Sequence, residues 1–291
     1  MPYNLFINNG LGAAFLSSGA KIAIGGKGGV GKTTFCAVWA QLFTEEGFDV
    51  LAIDADPNTN LALAFGIPSE RSPQPLIEMK QLIAERTGTD KDPAAYFRLN
   101  PKVSDLPEEY SLEVNGLKLL VLGAITNAAA GCACPQAAFL KTLLTHTILQ
   151  RHELVLVDLA AGVEFMGRAS VQGVDALVVV VEPGARSIET ANNVAKMAGQ
   201  LGIRAVAAIA NKITETTQTE VIKSQLKDIE LLGSVPYSRA VQQADIGCKP
   251  VFNADVGLVD ALRDAKGKLM DIISTRQQQR KQRETEPLLE T

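Results

Sequence analysis

The sequence is poor in cysteine: only four occur among 291 residues, at positions 36, 132, 134 and 248. That is too few for a disulfide-scaffolded secreted domain and points to a reducing, cytoplasmic setting. No run of 18 or more apolar residues is present, so no membrane-spanning helix is expected. Positive charge is not in excess, with 28 Lys plus Arg against 32 Asp plus Glu and a formal charge of -4. Such a chain offers no dominant surface for nucleic acid, and no nucleic-acid partner is expected. Residues 1–20 carry no charged side chain, and no Lys or Arg precedes the apolar stretch 11–16, as a secretory leader would require. They read as an N-terminal extension. No internal repeat is visible. What remains is an ordinary globular composition, 46% hydrophobic and 21% charged, with ample material for a core.

Short apolar runs alternate with helical patterns. Strands are predicted at 22–25, 50–54, 117–122, 154–158, 177–182, 205–210 and 231–235, several of them near-continuous in Val, Ile, Leu and Ala. Runs of that kind belong to strands covered on both faces. Helices are predicted at 33–46, 135–151, 187–201 and 220–226, and a last one at 261–275. The alternation specifies an α/β fold, a mainly parallel, doubly wound sheet with helices on both faces. Asn115-Gly116 between two apolar runs is a hairpin signal, so one strand is predicted to be antiparallel. Six prolines punctuate residues 68–110 around one helical pattern at 76–86, which reads as an insertion. A single domain is thus expected over 21–275. The stretch 276–283 is basic but diluted by Gln and free of aromatics, so 276–291 reads as a polar tail and no membrane partner is expected.

Gly26-Lys27-Gly28-Gly29-Val30-Gly31-Lys32-Thr33 fits GxxxxGK[ST] between the first strand and the first long helix. Glycines let backbone N–H groups turn inward around phosphate oxygens, so Gly28, Gly29, Val30, Gly31 and Thr34 join Lys32 and Thr33 as nucleotide-binding candidates. The helix N-terminus adds positive potential. Lys32 is expected at the β- and γ-phosphates, and the Thr33 hydroxyl on Mg²⁺. Lys27 is surplus for a site already served by Lys32. The second strand ends in Asp54-Ala-Asp56-Pro57-Asn58, which places carboxylates over the crevice at the carboxyl end of a parallel strand. The strand 154–158 also ends in a carboxylate, Asp158, which is suited to polarising a Mg²⁺-bound water, and Gly162 beyond it permits a switch. ATP and Mg²⁺ are the expected cofactors, and slow Mg²⁺-dependent ATP hydrolysis the expected reaction.

Cys132 and Cys134 are separated by one residue, and Pro135 is suited to the first position of a helix. A thiol there feels the positive helix end and shifts toward thiolate, the form that binds soft and borderline metals. One chain supplies two ligands, and a two-fold dimer would supply four, which suits nickel or zinc. Two small buried residues, or a transient redox pair, are the alternatives. Cys36 reads as core, Cys248 is unassigned, and His146 and His152 read as surface.

Taken together, KGGVGKTT at 27–34 resembles the deviant phosphate loop of the ParA/MinD/nitrogenase-iron-protein class of ATPases. The resemblance implies that Lys27 crosses a two-fold interface to the partner's nucleotide. It also implies that Asp56 orients the attacking water, that Asp54 supports the Mg²⁺ shell, and that Asn211, Lys212 and Pro236 lie near the adenine. Catalytic roles thus fall on Lys27, Lys32, Asp56 and Asp158. With the Gly131-Cys132-Ala133-Cys134-Pro135 segment and the stretches 77–83, 99–103, 118–123 and 181–190, the chain is similar over about 21–275 to the CooC-type ATPases. These help insert nickel into carbon monoxide dehydrogenase and related acetyl-CoA synthase enzymes. Phe165 departs from that pattern, standing where such proteins often carry histidine. The resemblance implies a metallochaperone ATPase that dimerises around a cysteine-held metal and serves a client nickel enzyme. A ParA/MinD-like positioning ATPase would have no need of the cysteine pair. An iron–sulfur electron donor like the nitrogenase iron protein would space its two cysteines widely.

Overall fold

The computed structural model describes residues 19–90, 97–123, 135–146, 152–163, 171, 173–203 and 205–285. Apolar runs become strands β1 (Ala20–Gly26), β2 (Asp49–Ala55), β3 (Leu112–Val114), β4 (Leu117–Val121), β5 (Glu153–Leu159), β6 (Ala176–Val181), β7 (Ala205–Ile213) and β8 (Glu230–Pro236). All eight form one sheet in the order β3-β4-β2-β5-β1-β6-β7-β8. Every pairing is parallel except β3 with β4, the hairpin turned by Asn115 and Gly116, both at positive φ. The helices are α1 (Lys32–Glu45), α2 (Leu61–Ala64), α3 (Lys80–Thr87), α4 (Leu106–Tyr110), α5 (Pro135–His146), α6 (Ala185–Gln200), α7 (Thr216–Gln225), α8 (Arg239–Ile246) and α9 (Val256–Thr285).

Alternate side chains of each central strand enter opposite layers, which is why the strands are apolar throughout. Ile22, Ile24, Ala52, Leu156 and Val178 join one core with α1 and α9. Ala23, Ile53, Val157, Leu177 and Val179 join the other, with Phe139 of α5, Ile188 and Val194 of α6 and Ile222 of α7. In the first layer the buried Trp39 of α1 donates its indole N–H to the Leu262 carbonyl of α9 at 2.9 Å.

Differences from the sequence pattern have local causes. The last helix does not stop near 275 but runs to Thr285, because the Gln-, Arg- and Lys-rich stretch has high helix propensity and no Gly or Pro. α8 is only eight residues long, and its apolar stripe of Ala240, Val241 and Ala244 is too short to mark a helix by period. Its signal is the cap: the Ser238 hydroxyl accepts the N–H of Val241 at 3.3 Å. β7 runs past Ala210 to Ile213 through a register shift that carries Lys212 into a left-handed φ of 60°. No helix among the described residues is long and apolar enough to cross a membrane.

Candidate nucleotide site

The connection leaving β1 rises from the middle of the sheet, between β5 and β6, and turns directly into α1. This is the crevice at the carboxyl ends of the strands where α/β folds bind ligands. Gly31 caps α1 at φ 104°, and a Cβ there would fall 2.5 Å from Asn211 Nδ2. Only glycine fits, on both conformational and steric grounds. Asn211, itself buried, donates its amide to the Val30 carbonyl at 2.7 Å, and Lys212 donates to the Gly29 carbonyl at 2.6 Å. The end of β7 thereby holds the phosphate loop. Lys32 is only 6% exposed and folds back over the loop, with Nζ 3.3 Å from the Lys27 carbonyl oxygen. The opposite flank is tied by the Gly162 N–H, which donates to the Gly26 carbonyl at 3.0 Å.

Two carboxylates lie side by side beneath the loop, because Asp54 of β2 and Asp158 of β5 are register partners. The Thr33 hydroxyl donates to Asp158 Oδ2 at 2.6 Å, and the buried Oδ1 has no hydrogen-bond partner among the described residues. Burial and the neighbouring Asp54 charge raise the Asp158 carboxyl to about 8, against the pull of the Thr33 hydroxyl and the Lys32 charge. Asp54 is better supplied. Its Oδ1 accepts the Asp56 N–H at 3.2 Å and its Oδ2 the Leu61 N–H at 2.9 Å. Burial still raises it to about 6. Both carboxyls are thus raised, by burial first, and without a cation the pair favours holding a proton. An unpartnered carboxylate oxygen next to a threonine hydroxyl is a donor set suited to a hard divalent cation and its waters. Asp56 is half-buried and outside the pair, its Oδ1 accepting the Asn58 N–H at 2.9 Å. Beneath them lies fully buried Cys36, whose thiol is pushed well up by burial and by both acids.

On the open side, Lys27 lies 3.2 Å from Glu182, just beyond β6, and Lys212 lies 3.5 Å from the other oxygen of the same carboxylate. Glu182 was not among the residues singled out from the sequence. The signal was available, since it follows an apolar parallel strand as Asp158 ends one. The structure thus brings Lys27, Lys32, Thr33, Asp54, Asp158, Asn211 and Lys212 around one loop. Pro236 ends β8, the strand next to β7. Cys132, Cys134 and Phe165 lie outside the described residues, although Pro135 does begin α5. Cys248 sits at a left-handed φ of 48° after α8 and is half-buried.

A family model for the CobQ/CobB/MinD/ParA nucleotide-binding domain matches residues 21–251, so the chain belongs to that family of P-loop ATPases. Within it the chain is a CooC-type member. The carbon monoxide dehydrogenase accessory protein CooC of Rhodospirillum rubrum is 44% identical over 227 residues, covering 77% of this chain and 86% of that one. An ATP-binding protein of Methanocaldococcus jannaschii is 40% identical over 237 residues, covering 79% of this chain and 90% of its own. Among solved structures, the septum site-determining protein MinD of Pyrococcus horikoshii, complexed with Mg-ADP, superposes with a TM-score of 0.61. It covers 86% of this chain and 95% of MinD at 17% identity, a likeness of fold.

Proposed function

We propose that the protein is an ATP-dependent metallochaperone that assists nickel insertion into an enzyme of the carbon monoxide dehydrogenase or acetyl-CoA synthase type. The observation that carries the ATPase part is the contact of Thr33 with Asp158, beside Asp54 and under a glycine-shaped phosphate loop. The client is carried by the 44% identity to the CooC accessory protein. Mg²⁺, when bound, neutralises developing charge on the phosphoryl oxygens, and Thr33 and Asp158, with Asp54 behind them, are the residues to hold it and its waters. Lys32 swings from the Lys27 carbonyl to the β- and γ-phosphates. Asp56, free of the buried pair, orients the attacking water. Lys27 acts on the nucleotide of a second copy, so that hydrolysis waits on dimer closure. Asn211, Lys212 and Pro236 border the adenine. Cys132 and Cys134 of two chains hold one nickel or zinc ion as cargo.

The shared cysteine site is the part most exposed to refutation. Two thiolates one residue apart leave coordination positions open, whereas four across a two-fold axis close them. Metal titration should saturate at one ion per two chains and be lost in both Cys132→Ser and Cys134→Ser, with ATP affinity unchanged. Metal should also lower the protein concentration at which dimers form, by linkage. One ion per chain, or binding that survives both substitutions, would refute the site.

A further inference from the structure

The Lys27 side of the loop contains an arrangement that the proposed chemistry does not use. Glu182 gives one carboxylate oxygen to Lys27 and the other to Lys212, at 3.2 and 3.5 Å. Its position is set from the backbone: the Glu182 N–H donates to the Ser187 hydroxyl at 3.1 Å, and Ser187 is itself buried in the first turn of α6. Lys212 is fixed as firmly, by its left-handed backbone and its 2.6 Å bond to the Gly29 carbonyl. Lys27 is the loose member. The only side-chain partner found for its ammonium group among the described residues is Glu182, and the side chain is 42% exposed.

We propose that Glu182 is a positioning residue, a resting counter-ion that keeps Lys27 on its own subunit until a second, nucleotide-loaded copy competes for it. This rests on the trans-acting role given to Lys27 above. A lysine that reaches across an interface must first leave the carboxylate that holds it. The sharing with Lys212 makes that departure cheap: when Lys27 leaves, Glu182 keeps a cation and no unpaired charge is left behind. Lys212 meanwhile remains on the Gly29 carbonyl, so the loop is not disturbed. The ion pair is partly solvated and therefore weak, a bias on an equilibrium and not a lock.

Glu182→Gln keeps the size and the backbone bond to Ser187 but removes the charge. Two measurements separate this proposal from the reading it rests on. The first needs no dimer: brief acetylation of the nucleotide-free protein, read by mass spectrometry at each lysine. Lys27 should react about two- to fivefold faster in Glu182→Gln, the weight of one half-exposed ion pair, while Lys223 on α7 is unchanged. The second uses sedimentation with ATP in an Asp56→Ala background, chosen to retain the triphosphate. There Glu182→Gln should lower the protein concentration for half-dimerisation by a similar factor, and the gain should vanish when Lys27→Ala is added. Unchanged Lys27 labelling overturns the proposal. So does a dimerisation gain that persists without Lys27, or tighter holding of the monomer in Glu182→Gln. If the parent protein binds ATP yet never dimerises, the trans-acting reading falls and the release step with it. The labelling result then still shows whether Glu182 is Lys27's counter-ion.

Discussion

The two sides of the phosphate loop solve the placing of charge in opposite ways. On one side, Asp54 and Asp158 are buried, paired in register and bonded to backbone and hydroxyl groups, and their positions are set by two central strands. On the other, Lys27, Lys212 and Glu182 meet at the surface, two of them roughly 40% exposed, and share partners. A divalent cation requires fixed donors, so desolvation is tolerated on the acid side even though it forces a proton onto one carboxyl. The role proposed for Lys27, acting on a second subunit, requires the reverse: solvated, exchangeable contacts that cost little to break. Substitutions should therefore have large effects on the acid side and at the base of the loop, and small ones on the lysine side.

The largest effect belongs to Lys32, which is buried but not part of either arrangement. Lys32→Ala removes the fixed cation from the phosphates and should abolish detectable ATP binding in calorimetry while the protein stays folded. Equal affinity in the two proteins would break the assignment of this loop as the nucleotide site.

Next comes Asp158→Asn, in which two consequences oppose each other. Hydrolysis should fall about 100-fold or more, because the Mg²⁺ that would neutralise the developing phosphoryl charge loses an anionic residue that holds it and its waters. The nucleotide-free, Mg²⁺-free protein should become more stable at high pH. The Asp158 carboxyl is raised to about 8 in the folded protein, and carboxyls of the unfolded chain ionise near 4. Between those values the folded protein binds more protons than the unfolded chain, so its stability falls as pH rises through the window and is fully present below it. The amide of the variant cannot ionise and escapes that loss. Thermal unfolding should show the variant ahead at pH 8, by an amount on the order of a few kcal/mol. The gap should close toward pH 4. A pH-independent difference would mean that packing, not charge burial, separates the two proteins.

The contrast also governs what could be read from sequence. Lys32, Thr33, Asp54 and Asp158 were legible because each obeys a rule linking spacing to topology: a loop between strand and helix, a carboxylate at the end of an apolar parallel strand. The sheet was legible for the same reason, since both-face burial forces continuous apolar runs. Glu182 obeys the strand-end rule too, but its meaning depends on Lys27, 155 residues away, and on Lys212, and neither contact has a sequence period. The loop-holding role of Asn211 was hidden likewise, because it exists only where β7 passes Gly31. The extension of α9 to Thr285 was hidden for a simpler reason, since polar, solvated helical turns have propensity but no apolar stripe, and α8 because its stripe of Ala240, Val241 and Ala244 spans only eight residues.

The smallest effect is expected at Lys212, and it tests the comparison most finely. Its ammonium group bonds the Gly29 carbonyl at 2.6 Å and shares Glu182, yet the side chain is 40% exposed. Lys212→Ala removes one charge-assisted bond to the loop, but water can replace it at both the carbonyl and the carboxylate. The loop keeps its Asn211 bond to the Val30 carbonyl and its Gly162 bond to the Gly26 carbonyl. Thermal stability should therefore fall by no more than about 1 kcal/mol, with a shallow decrease in ATP affinity of about threefold or less. Relief of the left-handed strain at residue 212 would not help, because alanine suffers the same φ of 60°, whereas Lys212→Gly should recover part of the loss. The comparison predicts that raising the salt concentration narrows the difference between Lys212→Ala and the parent, since the exposed ion pair is screened. The pH-dependent gap in Asp158→Asn should persist under the same salt. If both differences respond to salt alike, the buried and exposed sides of this site are not electrostatically distinct.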